Sequence, residues 1–269
     1  MNNIIVCIKQ VPDTTEVKID PETHTLIREG IPVIVNPFDL YAVEEGLRIK
    51  EKFGGRVIAI SMGPPQAEEA LREVIAMGVD DAILLSDKTF AGSDTLATSL
   101  SLASAIRKIG DFDIILCGKQ AIDGDTAQVG PGIAEWLDIP QAVFVRKISE
   151  IRDKSIIVEI LREEGYEKLE LPLPCLISVV KEINEPRLPS FRGKFRAKKY
   201  EIPVWTAKDL SLEESEIGLA GSPTQVIKIF NPPKKPRGSV FQGDVEEGVD
   251  RLIKWLKDQK LYNGRTQSN

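Results

Sequence analysis

Short apolar runs separated by amphipathic stretches constrain this chain more than any other feature. IIVCIK (4–9), RVIAIS (56–61), DAILLS (81–86) and DIILCG (113–118) are near-continuous apolar runs, and CLISVV (175–180) returns later. A strand apolar on both sides must be covered on both faces, which points to a parallel sheet. The intervening segments 39–53, 66–77 and 94–109 repeat apolar residues at helical spacing. Gly54-Gly55 and Gly78 end the first two, where a left-handed terminus favours glycine. This alternation predicts an α/β fold, a doubly wound, mostly parallel sheet wrapped in helices. Residues 17–35, with turn chemistry at DPET, read as an antiparallel excursion. Residues 142–171 read as an antiparallel hairpin or meander beside the sheet.

Composition narrows the function. The formal net charge of -6 gives no concentrated basic face over the whole surface, so nucleic acid is not expected as a partner. The N-terminal apolar run is too short for a secretory signal, and no run is long enough to insert in a membrane, so a cytoplasmic location is expected. Cys7, Cys117 and Cys175 sit within or at the end of strand-like runs and read as buried thiols. His24 is the chain's one histidine and lies in a turn-like stretch, which argues against a histidine-based triad or a multi-histidine metal site. No metal is expected.

The character of the chain changes near Glu182. The expected division is an α/β domain at 1–183, a basic loop at 184–205, and a C-terminal arm at 206–269. Within NEPRLPSFRGKFRAKKYEIPVW (184–205), Phe191 and Phe195 interleave with lysines and arginines under a proline frame. Such a segment serves as a solvated connector or, where aromatic side chains are exposed, as a docking surface. After the proline-rich tether FNPPKKPRG (230–238), residues 244–262 form an amphipathic helix. Its stripe of Val245, Val249, Leu252, Ile253 and Leu256 needs a surface to cover it.

The stretch CGKQAIDGDTAQVGPGIAEWL (117–137) leaves the fourth strand through polar residues and enters a helix through Gly-Pro-Gly. In an open parallel sheet, ligands bind where carboxyl strand ends lead into helix N-termini, whose free amides and dipole favour anions. Gly118, Gly124, Gly130 and Gly132 permit close backbone approach, and Thr126 and Gln128 offer donors. A phosphate or pyrophosphate suits this junction. Asp123 and Asp125 would repel it, so they should face backbone amides, a ribose hydroxyl or a flavin ring. A tightly packed structural turn fits the glycines equally well, for neither a G-x-G-x-x-G after the first strand nor a Walker loop is present.

Several motifs in order resemble the beta subunit of electron transfer flavoproteins: IIVCIKQVPD, VNPFDLYAVEEGLRIKE (35–51), VIAISMGPPQAEEALREVIAMGVDDAILL (57–85), GKQAIDGDTAQVGPGIAEWLDIPQ (118–141), and NEPRLPS followed by AKK. The resemblance runs from residue 3 to about 235. It implies the fold of adenine nucleotide alpha-hydrolase-like proteins and a heterodimer whose alpha subunit holds an electron-carrying FAD. It also implies a cofactor pocket made of Cys7, the Asn36, Pro37, Phe38, Asp39 turn, Met62, and Ala121, Ile122, Asp123, Gly124, Asp125, Thr126, Ala127, Gln128, Val129, Gly130, Pro131 and Gly132. From the residues alone, Cys7 and Met62 also read as core, and Asn36-Pro37 as a helix-entry turn capped by Asp39. By the same resemblance, Phe191, Lys198 and Lys199 belong to a surface that meets acyl-CoA dehydrogenase-type flavoproteins.

Beta subunits of this family divide into simple carriers, which hold AMP, and bifurcating ones, which hold a second FAD reduced by NADH and serve a low-potential acceptor such as ferredoxin or flavodoxin. Simple carriers carry a run of three aspartates in the loop. Here Gly124 stands between Asp123 and Asp125, which resembles the bifurcating version and leaves room beside the ring. AMP remains the alternative, as does a non-redox adenine-nucleotide-binding regulatory protein of similar fold. In any flavin reading the cofactor carries the redox chemistry and the protein orients it, so no catalytic side chain is expected.

Overall fold

The computed structural model describes residues 2–13, 32–227, 238 and 240–262. By internal contacts the chain forms two compact units, Met1–Ile229 and Phe230–Asn269, so residues 184–229, expected outside the α/β domain, belong to the first unit.

The first unit is built on a nine-stranded sheet. Its parallel part contains β1 (Asn3–Cys7), β4 (Arg56–Met62), β5 (Asp81–Leu85), β6 (Ile114–Gly118) and β10 (Cys175–Val179). A separate antiparallel pair joins β2 (Gln10–Pro12), which precedes the excursion expected at 17–35, to β3 (Val33–Val35) at its end; 14–31, including His24, lie outside the described residues. β7 (Gln141–Ile151), β8 (Ser155–Arg162) and β9 (Gly165–Pro172) form the meander, and β11 (Val204–Trp205) the far edge. The order is β11-β5-β4-β1-β6-β10-β7-β8-β9. The meander is continuous with the main sheet, because β7 pairs parallel with β10 before β8 and β9 run antiparallel.

Alternate residues of each central strand feed two cores. Ile4 and Val6 of β1 face one side, covered by α1 (Pro37–Phe53) and α2 (Glu68–Met77). Ile5 and Cys7 face the other, covered by α3 (Thr95–Ile109) and α4 (Val129–Leu137). Ile4, Ile5, Ile114, Ile115 and Leu116 are fully buried, each contributing about 1.5–3 kcal/mol of transfer free energy. This two-sided burial explains why the strands read as unbroken apolar runs.

Residues 184–205, read from sequence as an irregular loop, contain a helix, α5 (Phe191–Lys199), and the edge strand β11. Ser190 caps α5 by accepting from the Gly193 amide, and the helix lies on α2 with Ala197 buried. Tertiary docking supplies the stability that its basic, weakly periodic sequence lacks.

In the second unit, α6 (Val245–Asp258) spans most of the expected helix, capped by Asp244. Val249, Leu252 and Trp255 are exposed on it. The tether at 230–238, apart from Gly238, lies outside the described residues. No described helix is long and apolar enough to cross a membrane.

Candidate functional site

The carboxyl ends of β4, β1 and β6 lie side by side, since Cys7 pairs with both Ile60 and Cys117. Cys7, Cys117 and Met62 therefore converge, as their strand positions implied. The two thiols are buried and form part of the apolar core under the strand ends. Burial, with the nearby Asp39 carboxylate, pushes the Cys7 thiol up to about 12, and burial raises Cys117 as well. Both stay protonated at neutral pH and are chemically inert there.

Asn36 and Asp39 tie the entrance of α1 to the loops around it. The buried Asn36 side chain donates to the Gln120 carbonyl at 2.9 Å and accepts from the Ile122 amide at 3.2 Å. Asp39 accepts from the amides of Lys9 at 2.7 Å and Gly118 at 3.2 Å. The expectation that Asp39 caps α1 is therefore corrected. Pro37 starts the helix without needing a donor, and the Asp39 carboxylate joins β1 to β6 instead. Burial pushes this carboxyl up to about 7, against the amide bonds that pull it down.

Gly118 is required by close approach. A Cβ there would lie 2.4 Å from Asp39 Oδ1 and 2.6 Å from the Phe38 carbonyl carbon. Gly130 is similar, since its Cβ would meet Cys117 Sγ at 2.7 Å. These two glycines let α1 and α4 press against the strand ends. At Gly124, by contrast, an added Cβ would meet nothing within 4 Å.

The loop at 121–128 is exposed for most of its length. Asp125 and Ala127 hold left-handed backbone with φ of 54° and 55°, while Gln128 returns to -105°. Alternation of this kind turns successive amides toward one concave side and is strained for non-glycine residues. Among the described residues, the amides of Gly124, Thr126, Ala127 and Gln128 have no protein acceptor. The first-turn amides of Val129 and Gly130 precede the point where intrahelical bonds begin, and Pro131 and Gly132 complete that turn. The arrangement can receive an anionic group on backbone donors.

The two loop aspartates do not turn to backbone amides. Asp123 pairs with Lys9 Nζ at 2.7 Å, and Asp125 accepts from Gln120 Nε2. Lys9 thus neutralises one carboxylate beside the loop, and Lys119 Nζ sits 5.2 Å from the Phe38 ring centroid. Gln128 Oε1 accepts from Thr95 Oγ1 at 3.0 Å, which brings the start of α3, capped by Asp94, beside the same loop. Lys9, Thr95 and Gln120 escaped the sequence reading. Ser93-Asp94-Thr95 before an apolar helical run marks a helix start, but nothing local says where that start will point.

Phe191, Lys198 and Lys199 are not brought to this crevice. They lie on α5, whose Arg196 donates to the carbonyls of Val79 and Asp80 just before β5, at the amino end of the sheet. Leu188, Phe191 and Phe195 are 88%, 79% and 56% exposed, and the two rings meet edge to face at 5.1 Å. A cleft of about 370 Å³ also lies at that end, lined by residues including Arg56, Tyr200 and Trp205.

Known proteins supply an independent comparison. Residues 23–210 match the pattern of the electron transfer flavoprotein domain. The chain is 54% identical to the electron transfer flavoprotein subunit beta of Thermoanaerobacterium thermosaccharolyticum, over 96% of this chain and 99% of that one. It is 50% identical to the caffeyl-CoA reductase-Etf complex subunit CarD of Acetobacterium woodii, over 96% and 99%. It is also 50% identical to the protein FixA of Azotobacter vinelandii, over 98% and 94%.

Proposed function

Because the chain belongs to the electron transfer flavoprotein family, as a beta subunit, we propose that its strand-end crevice holds an FAD and that, with an alpha subunit, it oxidises NADH. The observation that carries this reading is the open space at Gly124, between two aspartates already engaged by Lys9 and Gln120. Thr126, Gln128 and the amides of Val129 and Gly130 would hold the pyrophosphate, where the helix dipole adds ~0.3–1 kcal/mol. Cys7, Asn36, Pro37, Phe38, Asp39 and Met62 form the floor and the near wall, and Ala121, Ile122, Ala127, Pro131 and Gly132 shape the loop. When bound, the flavin supplies hydride acceptance and electron release; the chain orients it and limits solvent.

In this reading the electrons would be passed on to the FAD of the alpha subunit and an acyl-CoA dehydrogenase-type flavoprotein, and to a low-potential acceptor such as ferredoxin or flavodoxin. The name of the Acetobacterium relative, which joins an Etf to a caffeyl-CoA reductase, favours a partner acting on acyl-CoA thioesters. Phe191 and its exposed apolar neighbours, with Lys198 and Lys199, provide the surface for that partner. Family membership favours redox work over a regulatory nucleotide binder. An AMP-holding simple carrier is the second reading, favoured by the fact that the phosphate-holding groups would serve AMP equally well.

Release and quantification of nucleotides from the purified heterodimer separates the two. FAD in both subunits and reduction by NADH are expected. Gly124→Asp should weaken beta-bound FAD by about tenfold or more, ~1.4 kcal/mol, and leave the alpha-bound flavin in place. Stability should stay within ~0.5 kcal/mol, because the new side chain enters open space. One FAD accompanied by AMP in the unmodified protein would move the subunit to the simple-carrier reading.

A further inference from the structure

Asn184, Glu185 and Arg187 are each fastened to α1 by hydrogen bonds that involve side chains. Asn184 Nδ2 donates to the Tyr41 carbonyl and to Glu45 Oε2, both at 3.0 Å. The Glu185 carbonyl accepts from the Arg48 guanidinium at 3.4 Å. Arg187 donates to Glu44 Oε2 through Nε at 2.7 Å and through its backbone amide at 3.1 Å. The guanidinium also reaches Glu44 Oε1 at 3.2 Å and Glu51 Oε2 at 3.1 Å. Arg48 Nε completes the cluster on Glu44 Oε1 at 2.7 Å.

Glu44 is 3% exposed, yet although burial alone would raise it, Arg187 and Arg48 hold its carboxyl below the usual range. Glu44 is the one buried member, since the Arg48, Arg187 and Glu51 side chains are 47%, 33% and 56% exposed, so solvent screening and the desolvation of Glu44 offset most of the attraction; fixing one geometry is the better-attested use of such a cluster. What it fixes is the neighbour. Leu188, the next residue, is 88% exposed. Two residues further on, the Ser190 amide donates to the Ala76 carbonyl at 3.3 Å and α5 settles on α2. A Cβ at Gly193 would lie 2.0 Å from that carbonyl oxygen, so the contact is as close as backbone permits. Leu188 and Pro189 therefore form a bridge held by α1 on one side and α2 on the other.

An exposed apolar side chain on a loose connector would have to be ordered at each encounter, and that ordering subtracts from affinity. We propose that Arg187 is a positioning residue for docking: its grip on Glu44 and Glu51 holds Leu188, with Phe191 and Phe195, in the arrangement that an acyl-CoA dehydrogenase-type flavoprotein engages. The inference rests on the reading of this surface as the partner site. It makes α1 a strut that meets the cofactor crevice at Asn36 and Asp39 and carries the docking segment along its length.

The test uses the purified heterodimer with Arg187→Met, Arg187→Lys, Glu51→Gln and Leu188→Ala, and a purified acyl-CoA dehydrogenase as the partner. In Arg187→Met, amide hydrogen exchange over 187–192 should rise ~10-fold or more, and that over 121–132 and the flavin content should not change. The KM for the heterodimer in the dehydrogenase reaction should rise ~10-fold with kcat held, because preorganisation and not electron transfer is lost. Arg187→Lys should recover only part, since an ammonium cannot span both carboxylates as the planar fork does. Glu51→Gln, at an exposed carboxylate, should show the same pattern at smaller amplitude and decides the matter if Arg187→Met does not fold. A wild-type KM in Leu188→Ala removes the docking reading and the proposal with it. A raised KM in Leu188→Ala, alongside wild-type exchange and KM in the Arg187 and Glu51 variants, overturns the positioning role alone.

Discussion

Replacing Gly118 by alanine puts one methyl group where three elements meet. Its carbon would lie 2.4 Å from Asp39 Oδ1, 2.6 Å from the Phe38 carbonyl carbon and 2.7 Å from Phe38 Cβ. Ordinary carbon contacts begin near 3.5 Å, so the first turn of α1 must retreat from β6 by ~1 Å. Backbone is among the obstacles, and no side-chain rotation relieves it. Overpacking of this kind costs ~1–3 kcal/mol. The retreat also breaks the bond from the Gly118 amide to a buried carboxylate, worth ~1.5–3 kcal/mol. A combined loss of ~2.5–6 kcal/mol lowers the Tm of a domain of this size by ~5–24 °C. Thermal unfolding of the heterodimer, followed by tryptophan fluorescence, reads the shift, and nucleotide release reads the crevice, which should empty because Asp39 and the Lys9 amide move together. Gly124→Ala is the control in open space and should stay within ~0.5 kcal/mol. Gly46→Ala, whose Cβ would meet Val6 Cγ2 at 3.2 Å, tests a milder contact, with the gain in helix propensity of ~1 kcal/mol offsetting it. A wild-type Tm in Gly118→Ala, or an equal loss in Gly124→Ala, would refute the close-approach argument.

Asp39 should give stability a recognisable pH dependence. Its carboxyl is raised from 3.8 to about 7 by burial, so between those values the folded chain keeps a proton that the unfolded chain has released. The contribution is fully present below the unfolded value and is lost as pH rises through about 7. Urea midpoints of the wild type should therefore decline relative to Asp39→Asn as pH rises from about 4 to 7, superimposed on a pH-independent cost of ~1–3 kcal/mol for the amide that asparagine leaves unpaired. A difference that is flat, or that grows in the wild type's favour, removes the assignment. The stripe of Val249, Leu252, Ile253 and Leu256 on α6 is expected to pack on the alpha subunit. Deleting 240–269 should raise the heterodimer dissociation constant by ~10-fold or more. Undiminished copurification at nanomolar dilution would make the helix a local feature of this chain.

Short apolar runs bounded by turn residues and alternating with amphipathic stretches fit strands buried from above and below, and glycine ends the helices between them at little cost. The parallel sheet, the positions of β1, β4, β5, β6 and β10, the covering helices and the polar strand-end loop at 118–132 were therefore legible without coordinates. So was the family, because several motifs occur in order along nearly the whole chain. Other features were invisible, and they share a cause. Asp39 reads locally as a helix cap, yet its oxygens are taken by the Lys9 and Gly118 amides. Asn36 reaches Gln120 and Ile122, and Thr95 reaches Gln128. Phe191 to Lys199 has too little apolar period to be recognised as a helix; it becomes one against α2. Arg187 looks like one more cation in a basic stretch until it is seen across the chain from Glu44 and Glu51. Periodicity and capping are written over a few neighbouring residues. Pairings between residues far apart are decided when the sheet closes, because only then do a carboxylate, an amide and a guanidinium share the same few ångströms.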